Sequence, residues 1–225
     1  MLVLDTPFHP KTSAGSVPGA RLVVLAPGIE IAAVVSTFAR DEEIFGEGEI
    51  ARHVFLVMNG VVRTCRILAD GRRQIGEFYF PGDVFGLEPN DVHGSSAEAL
   101  APCAVAVIKR AELEQEAVRN TESARALWEL AARQLARAQE HILLLGRKTA
   151  RERVASLLLD LADRGDGNGT VRLPMSRADM ADYLGLTIET VSRTISELAR
   201  DGTIRLADSR TVVIPNRGRL VPLAA

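Results

Sequence analysis

Between Ser176 and Gly202 the chain sets polar side chains at spacings suited to reading hydrogen-bonding groups on another molecule. Thr187 is an N-cap residue type, and Ile188 to Arg200 follow it without Gly or Pro. Ile188, Val191, Ile195 and Leu198 recur at helical intervals and form an apolar stripe, expected to be buried. Glu189, Ser192, Arg193, Ser196 and Arg200 fall on another face, and all are polar. Arg193 can donate two hydrogen bonds to guanine O6 and N7, Glu189 can accept from cytosine N4, and Ser192 is small enough to approach a base edge or a thymine methyl. The chemistry on offer is recognition of bases in a major groove, read mainly from the first turns of such a helix. A competing reading makes Glu189 and Arg193, at i and i+4, an exposed ion pair. Both hold if the carboxylate orients the guanidinium.

These residues need elements to aim them. Ser176 with Asp179 three positions on opens a helix through Met180 and Tyr183 to Leu184, and Gly185 can take the left-handed conformation that ends it. Two helices joined by Gly185-Leu186-Thr187 make a helix-turn-helix, with Asp201-Gly202 closing the second. Thr203 to Leu206 and Thr211 to Ile214, joined by Ala207-Asp208-Ser209-Arg210, form a hairpin, or wing. Contacts to the DNA backbone are expected from Thr187, Thr190, Ser196, Arg200, Arg205 and Arg210, with Arg217 and Arg219 also aimed at phosphates; such contacts position without specifying sequence.

Upstream, Val154, Leu157, Leu158 and Leu161 give the helix expected over Arg151 to Arg164 its buried face, and the Gly165–Gly169 segment ends it. From Lys109 to Leu145 neither Gly nor Pro occurs and helix formers dominate. Ala124, Trp128, Ala131, Leu135, Ala138, Ile142 and Leu145 follow 4-3 spacing, the seam of a coiled coil joining two copies of the chain. Packing of this helix on its own β domain is the alternative. Gly146 is expected to interrupt the helix and mark the hinge between domains.

Residues 21–108 read as an antiparallel β domain: short apolar runs divided by turns, which suggests a barrel or sandwich. Val54–Met58 and Val61–Ile67, separated by Asn59-Gly60, are expected to pair as a tight hairpin. A second turn is expected at Asp70-Gly71, followed by a strand over Gln74–Phe80. The expected organisation is α+β: a flexible arm over 1–20, a β-roll over 21–108, a dimerisation helix over 109–146 and a winged helix-turn-helix over 147–225.

Composition bounds the rest. The 225 residues are 25% charged and 47% hydrophobic, a folded globular balance. A net charge of −2 argues against a nucleic-acid partner until it is divided, because the chain from Lys148 onward carries +2 and the remainder −4. No run of 18 apolar residues occurs, and Asp5 and Pro7 stand where a signal peptide needs an apolar core, so a cytoplasmic protein without membrane attachment is expected. Cys65 and Cys103 are too few for a disulfide scaffold and read as reduced, half-buried thiols. His9, His53, His93 and His141 are dispersed, against the clustered ligands of a metal enzyme, so no catalysis and no cofactor are expected.

Taken together, the order of elements and the run Glu189-Thr190-Val191-Ser192-Arg193 resemble the Crp/Fnr family of bacterial transcription regulators over the whole chain apart from its N-terminal arm. Glu, Ser and Arg at these positions look like the Fnr and FixK branches, whereas the cyclic-AMP receptor branch has Gly where Ser192 stands. Ala138-Gln139-Glu140-His141 and Leu145-Gly146-Arg147-Lys148-Thr149-Ala150 are similar to FixK-type regulators. The resemblance implies a homodimer on a palindrome like TTGAT-N4-ATCAA, RNA polymerase as a partner, and control of low-oxygen respiration, denitrification or nitrogen fixation, as an activator. It also implies which sensors are missing. Cyclic-nucleotide domains in the family carry Phe-Gly-Glu and a later Arg for the cyclic phosphate, but here Phe85-Gly86-Leu87-Glu88 displaces the Glu and Ser95 stands for the Arg. The Fnr iron-sulfur cluster needs four thiolates, and Ser176 stands where one FixK subgroup has a redox-sensitive Cys. DNA binding without an effector is therefore expected; the alternative is a small-molecule or haem switch in the β-roll.

Overall fold

A computed structural model describes residues 19–165 and 169–224. The arm expected over 1–20 lies outside these residues save for Gly19 and Ala20, as does the centre of the Gly165–Gly169 turn. The chain divides into two compact units, one comprising residues up to Arg66 with Gly76–Ala132, the other Ile67–Ile75 with Arg133–Ala225.

The first unit is a two-sheet β-roll. One sheet orders β1 (Arg21–Ala26), β2 (Ile29–Phe38), β9 (Cys103–Lys109), β4 (His53–Asn59) and β7 (Val84–Phe85). The other orders β3 (Glu43–Phe45), β8 (Ser96–Ala99), β5 (Val62–Ile67) and β6 (Arg73–Tyr79). Successive strand residues face opposite ways, so one strand serves two cores. Phe55 and Val57 of β4 point between the sheets with Phe38, Phe45, Val62, Phe85 and Val105. Val54 and Leu56 point the other way, to Ile29, Ile31, Ile108 and two helical residues, Leu113 and Ala126. That double cover explains why β4 is apolar without alternation.

The expected hairpin across Asn59-Gly60 does not form. β4 pairs with β9 and β7 while β5 pairs with β8, so the chain crosses from one sheet to the other at this point. A type I′ turn needs two positive φ angles; Gly60 has one (φ +83) and Asn59 does not. Gly is required here on two counts, since a Cβ at position 60 would lie 2.5 Å from the Cys103 Cβ and 2.7 Å from the Pro102 carbonyl oxygen. Gly60→Ala should therefore cost about 2–4 kcal/mol, combining left-handed strain with overpacking, measured as a lowered midpoint in denaturant unfolding. The turn at Asp70-Gly71 forms as expected, with Gly71 at φ +83 and the Leu68 N–H donating to the Arg72 carbonyl at 2.8 Å.

The helix expected from Lys109 is two helices, α1 (Arg110–Arg119) and α2 (Thr121–Arg147). Asn120 divides them in an extended conformation, and its Oδ1 accepts from the Glu122 and Ser123 N–H groups at 2.9 and 3.4 Å. A short side chain that caps its own backbone breaks a helix without Gly or Pro. Conversely, Gly146 does not interrupt α2, which runs through it to Arg147. Among the described residues no helix is long and apolar enough to cross a membrane.

The second unit holds the rest of α2, then α3 (Ala150–Asp163), β10 (Thr170–Arg172), α4 (Arg177–Leu184), α5 (Ile188–Arg200), β11 (Arg205–Leu206), β12 (Thr211–Val213) and α6 (Arg217–Ala224). Thr149 and Glu152 form a capping box on α3, which buries Val154, Leu157, Leu158 and Leu161 as its periodicity requires. Met180, Leu184, Val191, Ile195, Leu198, Val212 and Leu220 complete this core. The wing gains a third strand, β10, in the order β10-β12-β11.

Candidate nucleic-acid interface

The turn between α4 and α5 is set by three local devices. Ser176 Oγ accepts from the Asp179 N–H at 3.1 Å while Asp179 Oδ2 accepts from the Ser176 N–H at 3.0 Å. Gly185 ends α4 in the left-handed conformation (φ 61, ψ 42). Thr187 Oγ1 then accepts from the Thr190 N–H at 3.2 Å and starts α5.

On α5 the buried stripe is Val191, Thr194, Ile195 and Leu198. Ile188, expected in that stripe, is 47% exposed, because it is the first helical residue and the core begins one turn later. Glu189, Ser192, Arg193, Ser196 and Arg200 are all exposed. Among the described residues no ion pair joins Glu189 to Arg193, and neither side chain has a hydrogen-bond partner, so the guanidinium and carboxylate face outward uncommitted. Ser196 Oγ donates to the Ser192 carbonyl at 2.9 Å, and the Thr187 and Thr190 hydroxyls lie 3.0 Å apart. At the foot of α5, hydrogen bonds from Thr203 and Arg151 hold the Asp201 carboxyl down at about 2.

The wing presents Arg205 and Arg210 to solvent, the loop being closed by the Arg210 N–H donating to Asp208 Oδ1 at 2.7 Å. Arg217 and Arg219, exposed like the wing arginines, already have partners within the protein: Arg217 pairs with Asp163, its Nη2 2.8 Å from Oδ2, and Arg219 donates to the Asp201 and Gly202 carbonyls at 3.1 and 3.4 Å. They belong to α6, an element not foreseen, which packs on α3 and buries Leu220. Arg177 was also missed. Half-buried, with its pKa pushed down by that burial, it contacts the Met180 sulfur and the Ser209 carbonyl, tying α4 to the wing loop. A cation in the first turn of a helix, where the dipole disfavours it, was the available signal.

Helix α2 carries two apolar stripes. Ala126, Leu127 and Leu130 pack on the β-roll core, as the alternative reading required. The 4-3 seam is a separate stripe: Trp128, Leu135 and Ile142 are 75, 61 and 69% exposed, Ala131 and Ala138 are exposed, and only its ends, Ala124 and Leu145, are half-buried.

In the β-roll, His93 is buried with its ring stacked on Phe45 at 3.6 Å and Nδ1 3.4 Å from Glu88 Oε1, so the displaced Glu88 faces an imidazole of its own segment. The buried Arg63 is paired with Glu98 at 2.7 Å and Asp41 at 3.4 Å. Cys65 and Cys103 are more buried than expected, and burial pushes the Cys103 thiol up to about 11. Among the described residues no three His, Cys, Asp or Glu side chains group to hold a metal.

The family model described as "Cyclic nucleotide-binding domain" matches residues 35–120, and "Crp-like helix-turn-helix domain" matches residues 152–223. The "Nitrogen fixation regulation protein FixK" of Azorhizobium caulinodans is 52% identical over 190 residues, 82% of this chain and 77% of that protein. Its namesake in Rhizobium meliloti is 42% identical over 181 residues, 80% and 82% of the two chains. The solved structure of FixK2 from Bradyrhizobium japonicum superposes with a TM-score of 0.83 at 48% identity, covering 86% of this chain and 98% of that one. With helix-turn-helix, β-roll and relatives in agreement along most of its length, the chain belongs to the Crp/Fnr family of DNA-binding transcription regulators, in the FixK-like branch.

Proposed function

We propose that the protein is a homodimeric transcription activator that binds a palindrome of the type TTGAT-N4-ATCAA, recruits RNA polymerase, and does so without a bound effector. The observation that carries this reading is the outward face of α5, where Glu189 and Arg193 stand exposed with no partner among the described residues. Glu189, Ser192 and Arg193 read bases, and Thr187, Thr190, Ser196, Arg200, Arg205 and Arg210 hold the backbone. The exposed seam Trp128, Ala131, Leu135, Ala138 and Ile142, with Ala124 and Leu145 at its ends, joins two copies so that their recognition helices meet successive major grooves about 34 Å apart. The names of the FixK relatives point to nitrogen-fixation genes as targets. We assign the protein to the cytoplasm and give it no catalytic role.

Effector independence draws on the charge pairing inside the β-roll. A cyclic phosphate needs a buried cation, since an unpaired charge is costly away from water, and the buried Arg63 is already committed to Glu98 and Asp41. Purified protein should be colourless and should bind the palindrome in gel shifts with no added ligand. A haem absorbance band, or specific binding only after a nucleotide is added, would favour the ligand-switch alternative.

A further inference from the structure

Arg153 stands in the first turn of α3, where a helix dipole disfavours a cation. Its guanidinium is turned instead to the carbonyl ends of two other helices. Nη2 donates to the Leu145 carbonyl at 2.8 Å and Nε to the Lys148 carbonyl at 2.9 Å, at the end of α2. Nη1 donates to the Leu184 carbonyl at 2.8 Å and approaches the Gly185 carbonyl at 3.4 Å, at the end of α4. Carbonyls in the last turn of a helix have no intrahelical partner and carry its negative dipole end, so one planar cation satisfies two such ends at once.

A second tie lies beside the first. His141 of α2 stacks on Tyr183 with ring centroids 4.2 Å apart, and its Nε2 lies 2.9 Å from the Tyr183 carbonyl oxygen. A carbonyl can only accept, so Nε2 is the donor in this contact. Three consecutive carbonyls, those of Tyr183, Leu184 and Gly185, are thus bound by two side chains that also belong to, or hold, the end of α2. Gly185 opens the three-residue turn into α5, and a Cβ there would already lie 3.2 Å from a Leu145 methyl and 3.4 Å from Arg153 Nη1. The direction in which α5 leaves the turn is therefore referred to α2 through Arg153.

We infer that Arg153 is a positioning residue for operator recognition: it transmits the geometry of the dimer helix to the helix-turn-helix and so sets the half-site spacing the protein accepts. The inference rests on the two-fold reading above. A guanidinium fork suits four carbonyls in a fixed arrangement; a lysine ammonium, a point charge with three donors, does not.

The test is a series of operators whose half-sites are separated by four base pairs or by one more or fewer, each step rotating one half-site by about 35° and moving it about 3.4 Å. Affinities are measured for wild type, Arg153→Gln and Arg153→Lys. Wild type is expected to prefer the four-base-pair spacing by about 100-fold or more, because simultaneous engagement is lost when geometry forbids it. In Arg153→Gln that preference should shrink at least about tenfold, with Arg153→Lys between the two. A uniform loss of affinity at every spacing, or an unchanged preference, would overturn the inference and leave Arg153 a residue of stability alone. If Arg153→Gln does not fold, as judged by circular dichroism, Arg153→Lys decides by the same criterion. A wild type indifferent to spacing would instead remove the two-fold reading, and the inference with it.

Discussion

Arg193→Ala should weaken binding to the palindrome by about 1–3 kcal/mol for each half-site and abolish the preference for guanine at the position it reads. The expectation follows from what the side chain does in the free protein, which is nothing: it is exposed, on the second turn of α5, and bonded to no neighbour among the described residues. Its removal leaves no buried group unsatisfied, so the thermal midpoint should hardly move. Because a base contact adds little to counterion release, the salt dependence of binding should also stay as it was. Arg205→Ala and Arg210→Ala in the wing make the contrast. Each should weaken all sequences alike and lower the salt slope by about 1 for every phosphate that is no longer neutralised. Titration of each variant against operators changed one base pair at a time separates the two behaviours. Equal loss by Arg193→Ala on every base would count against its role as a reader.

Leu135→Glu should produce a folded monomer with specific affinity reduced by about 100-fold or more. Leu135 is 61% exposed in the single chain, so the substitution disturbs no intramolecular core, whereas in a two-stranded coil it would set two carboxylates against each other in an apolar seam. Loss of the second half-site turns a bivalent encounter into a monovalent one, which is where the size of the effect originates. Light scattering gives the mass, circular dichroism the fold, and gel shifts the affinity. Substitution of Leu130, on the other stripe of α2, makes the control: it packs against the β-roll core, and its replacement by Glu should destabilise that domain. A Leu135→Glu chain that remains dimeric would place the interface elsewhere.

The sequence showed the helix-turn-helix almost completely, because each device there is local. A Ser-x-x-Asp cap, a Gly in the left-handed conformation, a Thr cap and an amphipathic period are decided within a few residues, and tertiary packing leaves them unaltered. What it concealed depends on distant partners. Asn59-Gly60 has the composition of a hairpin, but whether β4 and β5 pair depends on β9 and β8 competing for their edges. Asn120 looks like one helical residue among many until its side chain caps the next turn. Arg217 and Arg219 differ from Arg205 and Arg210 only in having Asp163 and the Asp201–Gly202 carbonyls within reach, a fact of packing and not of spacing. The two stripes of α2 could be drawn on a helical wheel, but which one met the β-roll was settled by where Ala126 falls against Ile29 and Ile108.

The net charge of −2 acquires a specific meaning from this arrangement. The residues from Lys148 onward carry only +2, so the proposed function requires specific binding to rely on base contacts doubled by symmetry more than on phosphate attraction. The decisive measurement is selection of binding sites from random duplex DNA by the purified, effector-free protein. Wild type is expected to enrich a two-fold palindrome of the TTGAT-N4-ATCAA type, with the guanine–cytosine pair losing its enrichment in Arg193→Ala. Enrichment of a single unpaired half-site, or of nothing until a ligand is added, would contradict the proposed function.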